Sequence, residues 1–406
     1  MTDRTSAEPN NAGPPDRVRD ALLALRPPRC AYVYDRTILI EMAAKVRAAL
    51  PAGSTLLYAV KANGHPDVLD ALAGEVDGFE VASGGELALA RIARAGIGTA
   101  TQIVFGGPAK TEGELEAAVE SEATVNVESL LELRRLAVAA ELAGVRVRTA
   151  LRVNRADAGL PGTHRMTGDA TPFGIDEAQL GDAVELATGH PSIRLIGFGL
   201  HAVSNNLDAA AHAEFVAEAV RWSVAAASQH RVPLESVNVG GGFGIDYTGN
   251  ARFDLSVLAD GLAKAADELP NGVRLVFELG RILTADAGWY AAEVVDLKRT
   301  HGRWFAVLRG GTHHFRLPAA WGYSHSFTVI PVDAWARPYD RPEVRDVAVD
   351  VVGELCTPRD VLARDHVVDR LRVGDLVVFA RTGAYGWDIS HHDFLRHDPP
   401  EFMVTG

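Results

Sequence analysis

Between residues 37 and 285 the chain alternates short apolar segments, rich in β-branched residues, with longer segments rich in Ala, Leu, Glu and Arg. The short segments have the length of buried strands, and the longer ones have the length of helices. Eight strands alternating with helices are typical of a (β/α)8 TIM-like barrel, although a doubly wound open sheet gives the same alternation. The predicted strands are residues 55–60, 78–81, 102–105, 123–127, 146–153, 193–200, 236–239 and 274–277.

The pattern changes near residue 286. From there Val, Trp, Phe and Thr alternate with Gly, Pro and Asp, and long helical patterns are scarce. This residue pattern predicts a second, C-terminal β-rich domain of β-sandwich or β-barrel type. We assign residues 286–406 to it together with residues 19–36, which contain a further strand-like segment. Residues 1–18 are predicted to be a disordered N-terminal tail. The predicted C-terminal strands include residues 304–308, 347–352 and 376–380.

Composition excludes several classes of protein. The chain has 406 residues and a net charge of −13, whereas proteins that bind a nucleic-acid backbone usually carry a basic surface. It has no apolar run of the roughly 18 residues that a membrane span needs, and its first residues show no signal peptide. Two cysteines in a chain of this length do not form a disulfide framework. We expect a cytoplasmic protein whose partner is a small molecule, neither nucleic acid nor membrane.

The chain contains only five lysines, and one of them directly follows the first predicted strand. This is Lys61, in the sequence Tyr-Ala-Val-Lys-Ala-Asn. In (β/α)8 enzymes the active site lies at the carboxyl ends of the strands. A lysine amine at the edge of an apolar pocket can form a Schiff base with a carbonyl compound. The alternative is a surface lysine that merely ends a strand.

Three further strand ends carry residues that could take part in binding or catalysis. Glu278 follows the eighth predicted strand, where a carboxylate can keep a pyridine-type nitrogen protonated, or can simply pair with Arg281. His201 ends the sixth strand and could stack on a flat ring or fill the core. The glycines 240–242 follow the seventh strand, where their N–H groups could hold a phosphate or simply form a tight turn.

In this order along the chain, the motifs resemble those of the fold-type III pyridoxal-phosphate decarboxylases, the family of the ornithine and diaminopimelate decarboxylases. The resemblance extends from about Tyr32 to Phe402 and includes a cysteine loop and a Gly-Ala-Tyr-Gly motif. It implies the cofactor pyridoxal 5'-phosphate. The positions that match the family's cofactor-binding residues are Lys61, Glu80, Arg152, His201, Ser204, Gly240, Gly241, Gly242, Glu278, Gly280, Arg281 and Tyr385.

The resemblance also implies catalytic roles. Lys61 is expected to form the Schiff base, Glu278 to hold the proton of the ring nitrogen, and His201 to pack on the ring face. Cys356 is expected to return a proton to the substrate's Cα, with a purely structural role as the alternative. In this family the cysteine loop enters the partner subunit's site, so we expect a homodimer with active sites shared between subunits.

Departures from the family pattern bear on the substrate. The diaminopimelate enzymes have an acidic residue after the loop cysteine, where this chain has Thr357, and an arginine where it has Leu317. The chain instead offers donors that suit additional carboxylates. This resembles decarboxylases of carboxylate-siderophore biosynthesis of the staphyloferrin B type, whose substrate is citryl-diaminopropionate. The predicted substrate-binding residues are His313, His314, Arg316, His325, Thr357 and Asp360.

Several alternatives remain open at this point. One is decarboxylation of diaminopimelate, ornithine, arginine or lysine, and another is an amino-acid racemase on the same fold. A racemase needs a second base facing Lys61, and the cysteine loop disfavours it. A non-catalytic homologue is expected to lack Lys61. The spacing of His391, His392, Asp393 and His397 matches no common metal site, so no metal is predicted.

Overall fold

A computed structural model describes residues 13–97, 101–156, 160, 162 and 164–406. The chain divides into two compact units. We call the first the barrel unit, which comprises residues 40–245 and 252–283. The second, the β unit, comprises the described residues up to 39 together with residues 246–251 and 284–406. The sequence analysis placed the corresponding boundaries after residues 36 and 285.

The barrel unit contains eight parallel strands that close into a ring. Each strand pairs with the next one along the chain, and the eighth pairs with the first. The predicted (β/α)8 barrel is therefore confirmed, and the open-sheet alternative is wrong because the ring leaves no free edge. We number the strands first to eighth: Thr55–Ala59, Gly78–Val81, Gln102–Phe105, Thr124–Val127, Val147–Asn154, Ile193–Gly199, Ser236–Gly240 and Arg274–Leu279.

Helices follow the strands, and several begin at side-chain caps. Thr111 and Glu114 form a reciprocal capping box, and Asp208 and Asp254 each accept hydrogen bonds from backbone N–H groups of the first turn. No helix among the described residues is long and apolar enough to cross a membrane. The helices of both units are Asp16–Ala24, Arg36–Ala49, Pro66–Ala73, Gly84–Ile97, Glu112–Glu120, Leu130–Leu142, Leu180–Gly189, Ala209–His230, Leu255–Asp267, Arg281–Thr284 and Leu317–Trp321.

The β unit is built on a mostly antiparallel sheet. The predicted strand near Tyr32 belongs to it, because Cys30–Asp35 pairs antiparallel with Gly288–Thr300 and parallel with Glu401–Thr405. The three strands predicted from the C-terminal sequence are present, and two of them extend further than predicted. The remaining strands of the sheet are Arg303–Leu308, Phe327–Ile330, Glu343–Val352, Val361–Arg372 and Leu376–Ala380.

An N-terminal helix shortens the predicted tail. Residues 1–12 of that tail lie outside the described residues, but the helix Asp16–Ala24 begins within it. Its side chains Val18 and Leu22, one turn apart, are completely buried against a cluster that includes Trp289 and Leu376. The prediction of disorder was wrong for residues 16–18, because the apolar spacing of the helix was overlooked next to a polar, proline-containing segment.

Candidate active site

Lys61 lies at the carboxyl end of the first barrel strand. A single helical turn, Val60–Ala62, follows that strand directly, and Val60 and Ala62 are buried while the lysine side chain is 42% exposed. The Lys61 Nζ lies 2.5 Å from Oε2 of Glu80, which is near the end of the second strand. Neighbouring parallel strands end at the same edge, so the two predicted residues meet there. The ion pair orients the amine.

Glu278 extends from the eighth strand and is partly buried. Its Oε1 accepts hydrogen bonds from Asn238 Nδ2 at 2.6 Å and Asn126 Nδ2 at 3.1 Å. Burial, and next the negative charge of Glu80, raises the pKa of Glu278 to about 7. The other oxygen, Oε2, has no hydrogen bond to any described residue. Glu278 therefore offers one free acceptor to a ligand nitrogen and does not form the predicted alternative ion pair with Arg281.

His201 follows the sixth strand and is neutral in this environment. Burial, reinforced by the positive charges of Arg152 and Lys61, lowers the pKa of its imidazole well below the usual value. The Gly241 N–H donates to His201 Nδ1 at 3.1 Å, which leaves the proton on Nε2. A neutral, fixed ring of this kind is suited to packing on a planar ligand.

The glycines at the end of the seventh strand allow His201 to pack close to the backbone. A Cβ atom at Gly240, whose φ is +69°, would lie 2.3 Å from His201 Nδ1, and one at Gly241 would lie 2.1 Å from the Glu278 carbonyl oxygen. The N–H groups of both glycines already donate within the chain, to Asn238 Oδ1 and to His201. Only Gly242 keeps an N–H without a partner among the described residues. Of the three glycine N–H groups that were predicted to hold a phosphate, one thus remains available.

Arg152, on the fifth strand, is held by a residue that the sequence analysis missed. Its Nη1 lies 2.8 Å from Oε1 of Glu128, and its guanidinium lies over the Phe173 ring, 5.0 Å from the ring centroid. The buried Glu128 also accepts N–H groups from Gly107 and Gly174, so it connects three segments. Glu128 directly follows the fourth strand. The strand-end reasoning that selected Lys61 could have found it.

The remaining predicted cofactor residues of the barrel unit lie at strand ends or beside them. Ser204 lies in a two-residue strand paired with His164–Arg165. A Cβ at Gly280 would lie 2.8 Å from the Ala62 Cβ, so this glycine lets the eighth strand pass close to the turn that carries Lys61. The neighbouring Arg281 is buried at the start of a short helix.

These residues fit a pyridoxal-type cofactor on chemical grounds. The barrel unit brings together a lysine amine, a carboxyl group with a free oxygen, a neutral imidazole and an N–H donor next to glycines. These groups match an aldehyde, a pyridine nitrogen, a ring face and a phosphate, respectively. Asn126 and Asn238 are additions that sequence reasoning missed. A polar side chain on the inner face of an apolar strand was the available signal in both cases.

Cys356 belongs to the β unit, in the loop between the strands Glu343–Val352 and Val361–Arg372. Its thiol is exposed and forms no disulfide. Asp360 shapes this loop. Its Oδ1 accepts the Thr312 N–H at 2.6 Å, and its Oδ2 accepts the Leu355 N–H at 2.8 Å. Each carboxylate oxygen thus accepts a backbone donor, so Asp360 positions the loop. Substrate binding by Asp360 stays a prediction.

The predicted histidine donors His313, His314 and His325 are buried. His325 is 2% exposed, and its two ring nitrogens lie 2.9 Å from Tyr323 OH and 2.7 Å from the Ala380 carbonyl oxygen. Burial lowers its pKa to about 4. Burial together with His313 lowers the pKa of His314 to about 3. Both imidazoles are therefore neutral at neutral pH, so each offers a carboxylate an N–H donor without a positive charge, and His313 is completely buried. Substrate binding by these histidines stays a prediction.

Other predicted residues of the β unit are accessible. Arg316 and Thr357 line the same cavity. Tyr385 lies in the predicted Gly-Ala-Tyr-Gly motif and has a φ of +53°. His392 stacks on Trp387 at 3.6 Å, whereas His397 lies beside Glu354. Among the described residues no group of three His, Cys, Asp or Glu side chains is arranged to hold a metal ion.

Comparison with known proteins identifies the family. The sequence profile described as "Pyridoxal-dependent decarboxylase, pyridoxal binding domain" matches residues 37–285. The chain belongs to this pyridoxal-dependent decarboxylase family. The match covers the barrel strands and all the predicted cofactor residues except Tyr385. The family-level resemblance seen in the sequence is confirmed.

Curated relatives of this decarboxylase cover almost the whole chain. The 2-[(L-alanin-3-ylcarbamoyl)methyl]-2-hydroxybutanedioate decarboxylase of Staphylococcus aureus is 39% identical over 95% of this chain and 96% of its own length. The diaminopimelate decarboxylase of Aquifex aeolicus is 31% identical over 92% of this chain and 86% of its own. Among solved structures, diaminopimelate decarboxylase from Helicobacter pylori complexed with L-lysine has a TM-score of 0.82 at 23% identity, over 96% of this chain and 94% of that chain.

Proposed function

We propose that this protein is a pyridoxal-phosphate-dependent decarboxylase of an amino-acid moiety joined to a citrate-derived chain, with citryl-diaminopropionate as the substrate. The name of the Staphylococcus aureus relative describes such a compound, an alanine unit linked at C3 through an amide to a hydroxylated dicarboxylate. The observation that carries the proposal is the strand-end arrangement of Lys61 with Glu80 and of Glu278 with its two asparagines.

The cofactor, when bound, supplies a conjugated ring that accepts the electron pair left when CO2 departs. The residues around it have distinct tasks. Lys61 binds the cofactor aldehyde through its amine, and Glu80 orients that amine. Glu278 holds a proton at the ring nitrogen, with Asn126 and Asn238 keeping its carboxyl in place. His201 packs against the ring face, and its lack of charge avoids repulsion with a protonated ring.

The phosphate is expected to be bound by the Gly242 N–H, Ser204, Arg281 and Tyr385, all of which match the family pattern. Cys356 supplies the proton that returns to Cα, and its exposed thiol gives access to a ligand. The chain is expected to act in the cytoplasm as a homodimer that shares its sites between subunits.

The proposal is tested by measuring CO2 release from citryl-diaminopropionate, diaminopimelate, ornithine, arginine and lysine with purified protein saturated with pyridoxal phosphate. We expect turnover of the citryl compound and at least about 100-fold less of the others, because only the first carries two carboxylates on the end that does not react and no second cationic group there. Lys61→Ala is the matched control and should abolish both turnover and the visible absorbance of the bound cofactor. Turnover of only a plain amino acid would refute the substrate. Racemisation without CO2 release would refute the reaction.

A further inference from the structure

A cavity of about 800 Å³ lies within the β unit and contains three arginines. Its lining residues come from residues 312–324 and from residues 357–364, immediately after Cys356, together with His391. We call it the arginine cavity. Its charged or titratable lining residues are Arg316, Arg359, Arg364 and His391.

Positively charged side chains predominate among the charged residues that line the arginine cavity. Its described lining includes no Asp or Glu. None of its three guanidinium groups forms an ion pair with a described residue, whereas Arg303, Arg370 and Arg372 of the same unit all pair with carboxylates. Three like charges around a concave surface repel one another and attract a polyanion.

The backbone of each arginine is fixed. The Arg316 N–H donates to Ser390 Oγ at 3.0 Å, and the Arg364 N–H donates to Ser324 Oγ at 3.0 Å. The Arg359 N–H donates to Thr357 Oγ1 at 3.4 Å. The three side chains therefore extend from defined points on the cavity wall, which reduces the conformational entropy lost on binding a ligand.

His391 adds a donor of variable charge. Partial burial and the positive charge of Arg316 lower the pKa of its imidazole, so the other cationic groups oppose its protonation. A carboxylate bound beside His391 would raise the pKa of its imidazole again and favour the charged form. The negative charge of Asp360, which accepts the N–H group of the lining residue Thr312 at 2.6 Å, acts in the opposite direction to Arg316 and favours the protonated form of His391.

We propose that the arginine cavity binds the carboxylates of the citrate-derived end of the substrate, with Arg359 and Arg364 as specificity-determining residues alongside Arg316. This rests on the proposed function. Guanidinium groups bind carboxylates with paired, charge-assisted hydrogen bonds, and a ligand with two or three carboxylates can engage several of them. A substrate that ends in an ammonium group would be repelled. Neither Arg359 nor Arg364 was selected from the sequence.

The test uses citrate as a probe, with protein saturated with pyridoxal phosphate. Calorimetry should show citrate binding to the wild type. Arg359→Gln and Arg364→Gln should each weaken it by about tenfold or more, and Thr357→Asp should do the same by placing a negative charge in the cavity. Arg337→Gln is the matched control, because Arg337 is exposed in the same unit, is unpaired among the described residues and lies outside the cavity.

Kinetics with citryl-diaminopropionate provide the second readout. The cavity variants should raise KM more than they lower kcat, because the arginines bind a part of the substrate that does not react. The inference is overturned if the wild type turns over this substrate while citrate binding is absent, or while citrate binding and KM are unchanged in both arginine variants. In that case the proposed function stands. If the wild type turns over no citryl substrate, the proposed function itself fails.

Discussion

At the level of single residues, burial decides which titratable groups of this chain carry charge. Glu278 and His201 lie within reach of the same charges, Lys61 and Arg152, and burial pushes both toward their neutral forms. His314 and His325 of the β unit are neutral for the same reason. The anion binding that we propose therefore depends on arginine side chains rather than on histidine.

The raised pKa of Glu278 has a consequence for stability. Below about pH 4.5, the ordinary value for this carboxyl, the group is protonated in both the folded and the unfolded chain. Between that value and about 7 the unfolded chain ionises while the folded protein keeps the proton. The stability that comes from the protonated Glu278 carboxyl is therefore lost as the pH rises through about 7. Above that pH the ionised, buried carboxylate lowers the free energy of unfolding by at most about 3 kcal/mol.

We predict that Glu278→Gln stabilises the cofactor-free protein at pH 8 and that the gain fades as the pH falls toward 4.5. In the cofactor-bound enzyme the same change should lower kcat by about 100-fold or more, because the ring nitrogen loses its anionic partner. Urea unfolding across this pH range and steady-state kinetics measure the two effects. Glu116→Gln, at an exposed site, is the control. A pH-independent difference would contradict the assigned burial cost.

At the level of elements, the buried carboxylate of Asp360 helps to hold the loop that carries Cys356. Asp360 connects it to the segment that begins at Gly310, because it accepts N–H groups from both. A Cβ at Gly353 would lie 2.2 Å from Asp360 Oδ2, so a glycine is needed where the loop passes the carboxylate. Glu354 adds to this connection, because its Oε1 accepts the Gly310 N–H at 2.9 Å and its own N–H donates to the Gly310 carbonyl oxygen at 2.9 Å.

Asp360→Ala is expected to lower the free energy of unfolding by about 2–4 kcal/mol, since it leaves two buried N–H groups without acceptors. Amide exchange at Leu355 and Thr312 should accelerate in the same variant. Chemical denaturation and hydrogen-exchange mass spectrometry measure these effects. Asp369→Ala, at an exposed site in the following strand, should change stability by less than about 0.5 kcal/mol. Equal effects of the two substitutions would argue against the positioning role.

At the level of the whole molecule, the proposed catalytic groups are distributed over both units. Lys61 and Glu278 belong to the barrel unit, whereas Cys356 and Tyr385 belong to the β unit. The family resemblance implies that the Cys356 loop serves the partner subunit's site. A homodimer would then contain two composite sites, each needing residues from both chains.

Mixing a Lys61→Ala chain with a Cys356→Ala chain should therefore restore activity. Random reassortment makes half of the dimers mixed, and each mixed dimer has one intact site. Activity should reach about one quarter of the wild-type level. The measurement is CO2 release after unfolding and refolding the mixture, with each variant refolded alone as the control. Mixed dimers that are verified by mass but remain inactive would show that each chain is self-contained.

The sequence by itself determined the barrel and the positions of most chemically important residues. Each strand is a short apolar run whose length and flanking residues are local properties, so all eight were predicted to within two residues at either end. A residue that follows a parallel strand must lie at the carboxyl edge of the barrel, and this placed Lys61 and Glu278 at one edge without any coordinates. Their catalytic roles remain predictions.

Only the tertiary structure decided which polar groups are free and which are charged. Asn126, Asn238 and Glu128 contact their partners across strands far apart in the chain. Asp360 is occupied by backbone donors, and His314 and His325 are neutral, because segments distant in sequence exclude water from them. Arg359 and Arg364 form a cavity with Arg316 for the same reason. Solvent exclusion is a property of the assembled fold, whereas periodicity is a property of the local chain.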